Sequence, residues 1–219
     1  MSEIRMRKCI CYPIIALVAL GGVGLGIWLS QHYLSGKSLP RELEATVLEQ
    51  PRELNPFTLH DASNQPFNLD RLKGHWSFLF FGYTNCPDVC PTTLNVMQGV
   101  WQKLPTRPGD AQQPKMYFVS VDPDRDDLKT LKKYVNFFDP SFIGVTGNLD
   151  EIDNLTGQLG VLYGYDENKG GGANNYTVNH SAQILLIDPE ARLRAVFSPP
   201  HDSTTIARNY LLITHYYGD

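Results

Sequence analysis

Residues 76–104 read WSFLFFGYTNCPDVCPTTLNVMQGVWQKL. The first eight, Trp76 to Tyr83, are almost continuously apolar. Strands covered on both faces, in the middle of a sheet, look like this. Thr84–Asn85 breaks the run, and from Thr92 to Leu104 the apolar residues recur at helical spacing, at Leu94, Met97, Val100, Trp101 and Leu104. Between strand and helix stands Cys86-Pro87-Asp88-Val89-Cys90-Pro91. A central buried strand that runs into a helix through a cysteine motif sets the frame for the rest of the chain.

Downstream, Met116–Val121 is a second buried strand ending in Asp122-Pro123, and Asp126–Phe138 has helical periodicity closed by Asp139-Pro140. Asp122 ends a strand in this scheme, and Asp126 is placed to cap the following helix. Phe142–Val145 suits a short strand and Leu149–Leu159 a helix. A polar loop, Gly164–Asn175, leads to strands over Tyr176–Asp188 and Arg192–Ser198 and a terminal helix over Ser203–Tyr216. Upstream, Phe57–His60 and Phe67–Leu69 flank a turn and suggest a hairpin. Strands alternating with helices, closed by a hairpin and a helix, describe an α/β domain of three layers around a mixed central sheet. With the cysteines at the junction after the first long buried strand, the expected fold is thioredoxin-like. The early hairpin and the 149–176 segment would be additions to its usual core.

The N-terminus has a different character. No charged side chain occurs from Cys9 to Gly36, and Ile10–Leu29 is about the ~20 residues that a membrane-crossing helix needs. Arg5, Arg7 and Lys8 precede it directly, whereas Lys37 and Arg41 come well after. The positive-inside bias therefore places the N-terminus in the cytoplasm and the domain on the periplasmic, extracytoplasmic side of a single-pass protein. A cleaved signal peptide competes, but the apolar stretch is long for one and no A-x-A-like site follows it. Gly22 and Gly26 have the G-x-x-x-G spacing, which four glycines in six residues make cheap by chance. The expected organisation is a cytoplasmic N-terminus (1–9), a transmembrane anchor (10–30), a polar linker (31–52) and the thioredoxin-like domain (53–219).

Net charge is −4, from 19 basic and 23 acidic residues. Residues 1–9 are basic on balance, so the remainder is more acidic still. That argues against nucleic acid, which needs a basic footprint.

Cys86 and Cys90 are the only cysteines of the domain; Cys9 and Cys11 lie at the anchor. With an i, i+4 spacing, a helix starting near Cys86 would put both on one face, their Cβ atoms ~5–6 Å apart. Proline suits a helix's first turn, and a helix N-terminus favours the thiolate that serves as ligand or nucleophile. A structural staple is the plain alternative, but so short a loop gains little from one. Three residues between the cysteines, where thioredoxin-type redox motifs have two, make chelation more plausible. Two soft sulfurs suit Cu(I), with zinc as competitor, and call for a third ligand. Spacing alone leaves metal binding and electron exchange both open.

Of six histidines, His180 follows the Gly-rich loop and opens the apolar run SAQILLID. In a thioredoxin-like sheet the loop before that strand faces the cysteine-bearing helix, so His180 is the candidate third ligand. A histidine at a strand start is otherwise an ordinary solvated residue.

The elements GYTNCPDVCPTTL, VSVDPDRD, FIGVTG and YTVNHSAQILLIDP, in this order, resemble the Sco/SenC copper-chaperone family over roughly residues 53–216. The resemblance implies that Cys86, Cys90 and His180 bind copper, as Cu(I) or Cu(II), and that Cys86 and Cys90 can form a disulfide. It implies delivery of copper to the binuclear copper centre of cytochrome c oxidase, so the partners would be its copper-bearing subunit and other copper chaperones or thiol reductases. The chain departs from many relatives at Asn179, where they have Asp, and at Asp127, where Thr is frequent. The other function in view is a membrane-anchored thiol–disulfide oxidoreductase that reduces cysteines of an oxidase subunit, with Cys86 and Cys90 as its redox-active pair. A peroxidase pattern fails, since Leu79 and Tyr83 stand where Pro and Thr are needed. Asp88, between the cysteines, is a candidate partner contact. The 164–175 loop is expected to order when His180 takes a metal.

Overall fold

The computed structural model describes residues 20–30, 43, 46–105, 113–166 and 176–218. Two compact units divide at Arg41 and Glu42. In the first, the described part of the expected anchor is helical over 20–29 (α1). Among the described residues no helix is long and apolar enough to cross a membrane; the anchor's residues 10–19 lie outside them, as do Cys9 and Cys11.

The second unit is built on an eight-stranded mixed sheet. Its strands are β1 (Val47–Glu53), β2 (Leu59–Asp61), β3 (Pro66–Phe67), β4 (Ser77–Gly82), β5 (Lys115–Ser120), β6 (Ile143–Thr146), β9 (Ile184–Ile187) and β10 (Arg192–Phe197). They lie in the order β1-β10-β9-β4-β5-β6-β2-β3. A separate two-stranded sheet pairs β7 (Tyr163–Asp166) with β8 (Thr177–His180). The helices are α2 (Leu69–Leu72), α3 (Val89–Lys103), α4 (Leu128–Phe138), α5 (Leu149–Leu159) and α6 (Ser203–Tyr217).

β4 is buried at every residue, as its apolar run requires. It pairs in parallel with β5 and antiparallel with β9, so neither edge meets water. Phe78 meets Trp101 of α3 and Tyr210 of α6, while Phe118 on β5 meets Tyr134 of α4. Those helices cover the face carrying Phe78, Phe80 and Phe118. Tyr117, which alternation turns to the opposite face, meets Phe67 of the β2–β3 hairpin at 4.6 Å. Asp61 closes that hairpin's turn by accepting from the N–H groups of Ser63 and Gln65.

Several local assignments differ from the sequence-based expectation: the loop expected over 164–175 gives residues 164–166 to β7, with 167–175 outside the described residues, and Leu69 opens α2 rather than ending a strand. Val47–Glu53, the end of the stretch expected to be linker, is an edge strand paired with β10. The single strand expected over 176–188 is two, since β8 ends at His180 and β9 begins at Ile184. Between them Ser181 donates its N–H to Leu162 O and accepts through its hydroxyl from Leu162 N–H, which ties the chain to β7's approach rather than to the main sheet. The cap of α4 is Asp127, accepting from Thr130 N–H, not Asp126.

Candidate metal centre

β4 ends at Gly82, and the chain turns through Tyr83–Asp88 into α3. Helix begins at Val89, so Cys86 stands before it and only Cys90 lies in its first turn. The expectation of both cysteines on one helical face is corrected here: the pair is brought together by a turn onto a helix N-terminus. Cys86 Sγ accepts the N–H of Cys90 at 3.4 Å. Asp88 occupies the capping position without a side-chain bond to the backbone, and is exposed.

The turn is held from below. Asp126, fully buried, accepts from Thr84 N–H (2.9 Å), Thr84 Oγ1 (2.5 Å) and Ser120 Oγ (2.6 Å). Burial pushes its carboxyl above the usual range, and these donors partly offset that. Asp126 thus anchors the cysteine turn to β5 instead of capping α4. No spacing rule in the sequence predicts that role.

His180 arrives from the end of β8. Its Nε2 lies 3.2 Å from Cys90 Sγ. Its Nδ1 faces Ser181 O at 3.1 Å; with the proton on Nδ1, that nitrogen donates to the carbonyl and leaves the Nε2 lone pair toward the sulfurs. The ring is flanked edge-on by Phe80 and Tyr83, at 5.9 and 6.1 Å. Cys86 Sγ, Cys90 Sγ and a His180 ring nitrogen all lie within 4.8 Å of one another. Of the other histidines, His201 bonds through Nε2 with Ala182 O, and His32 falls outside the described residues.

The two thiols differ. Cys86 is partly exposed and Cys90 fully buried. Donation from the Cys90 thiol to its sulfur, with further help from His180 in the form that carries its proton on Nε2 and from the N–H groups of Cys90 and Asp88, holds Cys86 down to about 3. The neighbouring Cys86 thiolate and burial push Cys90 up. At neutral pH the reduced pair is one thiolate facing one thiol. Two sulfurs and an imidazole nitrogen form a soft donor set, and metal–ligand bonds of ~2.0–2.3 Å in a trigonal arrangement need ligand separations of about 3.5–4 Å. The residues present fit such an ion.

A thioredoxin-like domain with a Cys-Cys-His group at its strand-to-helix junction is the class that fold and site define. The chain belongs to the SCO1/SenC family, which it matches over residues 45–213. It is 37% identical over 160 residues to a putative copper-binding protein of Stutzerimonas stutzeri, covering 72% of this chain and 76% of that one. An SCO2-like protein of Rickettsia prowazekii is 36% identical over 190 residues, with 86% and 89% covered. Among solved structures, yeast Sco1 with copper bound aligns at a TM-score of 0.68 and 30% identity, covering 76% of this chain and 91% of that one.

Proposed function

We propose that the protein is a copper metallochaperone that binds Cu(I) through Cys86, Cys90 and His180. It then hands the ion to the binuclear copper centre of cytochrome c oxidase. The observation that carries this is the convergence of three soft or borderline donors, 90 residues apart between Cys90 and His180, on one small volume. Copper is cargo here. Cys86 is half-buried, so a partner's ligand can reach that sulfur first and displace the donors one at a time. Membership in a family whose relatives include a putative copper-binding protein and copper-bound Sco1 supports the choice of metal. The charge-free N-terminal stretch, with basic residues before it, supports a single-pass anchor holding the domain in the periplasm. Asp88, exposed at the rim, is the contact proposed for the partner.

The asymmetry of the two thiols favours a second reading, a thiol–disulfide oxidoreductase. The partly exposed thiolate of Cys86 would attack a substrate disulfide. The Cys90 thiol, losing its proton, would then resolve the mixed disulfide, leaving Cys86–Cys90 oxidised and the substrate reduced to two thiols. That chemistry has no use for His180. Purify the protein under reducing conditions and measure copper and free thiols. One copper per chain with both site thiols reduced supports the chaperone. No copper and a ready disulfide support the reductase.

A further inference from the structure

The β7–β8 hairpin, which delivers His180, is hydrogen-bonded to no strand of the main sheet. Its attachment comes from side chains. Tyr165 on β7 donates its hydroxyl to Val121 O at 2.7 Å. Tyr176, the residue before β8, donates its hydroxyl to Asp122 Oδ1, and its carbonyl accepts Arg125 Nη1 at 3.0 Å. The Arg125 guanidinium lies 3.6 Å over the Tyr176 ring, and its Nε donates to Asp122 Oδ2. This ion pair is buried, with side chains 11% and 1% exposed. The same guanidinium lies 5.5 Å from the centre of the Tyr83 ring, which packs perpendicular to the His180 ring.

Arg125 therefore stands where three segments meet: the β5–α4 turn through Asp122, the cysteine turn through Tyr83, and the start of β8 through Tyr176. We infer that Arg125, paired with Asp122 and stacked on Tyr176, is a positioning residue that holds His180 against the Cys86–Cys90 pair. The cysteines have their own supports, in β4, α3 and Asp126, and do not depend on this clamp. His180, four residues beyond Tyr176, draws on it alongside the bonds of Ser181 to Leu162 and of Tyr165 to Val121. Arginine suits the position because its planar fork stacks on a ring, bonds a carbonyl and pairs with a carboxylate together. Lysine keeps the charge and loses the stack. The inference rests on His180 being the third copper ligand.

The test is a cycle of variants in the full chain, in detergent micelles, with Cu(I) affinity read by competition with a chromophoric chelator. Arg125→Met is expected to weaken Cu(I) binding by about tenfold or more, the scale for residues that orient a ligand from outside the coordination shell. In a His180→Ala background the same change should shift affinity by less than about twofold, because two residues acting through one contact are not additive. The Cys86–Cys90 disulfide potential should not move, whereas general loosening of the domain would move it. Wild-type affinity in Arg125→Met, or an equal loss with and without His180, overturns the inference. Should Arg125→Met fail to fold, Tyr176→Phe, which removes the single bond to Asp122, runs the same cycle with the same criteria. If His180→Ala itself leaves affinity unchanged, the proposed site fails and the clamp with it. If His180→Ala weakens binding and Arg125→Met does not, only the clamp fails.

Discussion

Cys90 Sγ and His180 Nε2 lie 3.2 Å apart, although 90 residues separate them and His180 comes from a hairpin outside the main sheet. The contact is what turns a pair of thiols into a three-donor site. It is kept by two sets of supports, one under the cysteine turn and one under β8, and each makes a separate prediction.

The close approach of β4 to the cysteine helix depends on Gly82. A Cβ there would fall 2.6 Å from Cys90 Sγ and 2.9 Å from the Phe118 ring, distances that force something to move. Gly82→Ala should destabilise the domain by about 1–3 kcal/mol, the usual cost of overpacking a buried site. It should also push the Cys90 sulfur away from His180. Urea unfolding together with Cu(I) affinity checks it, and the two should fall together.

Cys86, held down to about 3, should be a thiolate throughout the ordinary pH range. In the reduced, metal-free protein, iodoacetamide at pH 5 should label Cys86 quickly and leave buried Cys90 unlabelled, with peptide mapping as the readout. In Cys90→Ala the main donor to that thiolate is gone, so the pH at which Cys86 begins to react should move upward toward that of a free thiol.

Asp126 gives a pH dependence of stability with a definite sign. Its folded pKa is raised by burial, so the folded state binds its proton more tightly than the unfolded state does. The stability it contributes is full below the unfolded value and is lost as pH rises through the raised folded value. Asp126→Asn should remove that slope. Thermal melts of the two proteins from about pH 3.8 upward, the usual carboxylate value, should converge toward the acid end and differ in slope above it. Parallel curves would contradict the assignment.

Asp188, at the β9–β10 turn, is 1% exposed and accepts from Arg192 Nε and Arg194 Nη2, each at 3.0 Å. Asp188→Ala leaves buried Arg194 uncompensated and should cost about 3–5 kcal/mol in chemical unfolding. Below the unfolding transition, Cu(I) affinity should stay within about twofold of wild type, because the ion pair takes no part in the metal centre.

Much of this fold could be read from local pattern. The Trp76–Tyr83 run became β4, Leu149–Leu159 became α5 at those bounds, and the β2–β3 hairpin formed where its turn residues stood. β1 was not legible, because VLEQPRE buries only Val47 and is held by backbone bonds to β10 that leave no apolar period behind. The break after His180 was missed for a related reason. NHSAQILLI reads as one apolar strand unless Ser181's bonds to Leu162 are known, and those are long-range.

At the site, the cysteine pair stood out from its spacing alone. The helix start did not, since it falls at Val89, and the capping choice of Asp127 over Asp126 was decided by Ser120 and Thr84 above the buried carboxylate. Arg125 and Tyr176, which hold β8, are 51 residues apart and carry no joint mark in the sequence.

The central claim is a Cys86–Cys90–His180 copper site, and Cu(I) titration under reducing conditions of wild type against Cys86→Ala, Cys90→Ala and His180→Ala tests it most directly. Each substitution is predicted to weaken binding, the cysteines more than the histidine, because removing a sulfur leaves Cu(I) a single soft donor. Undiminished Cu(I) affinity in any one of the three variants would contradict the account by taking that residue out of the site.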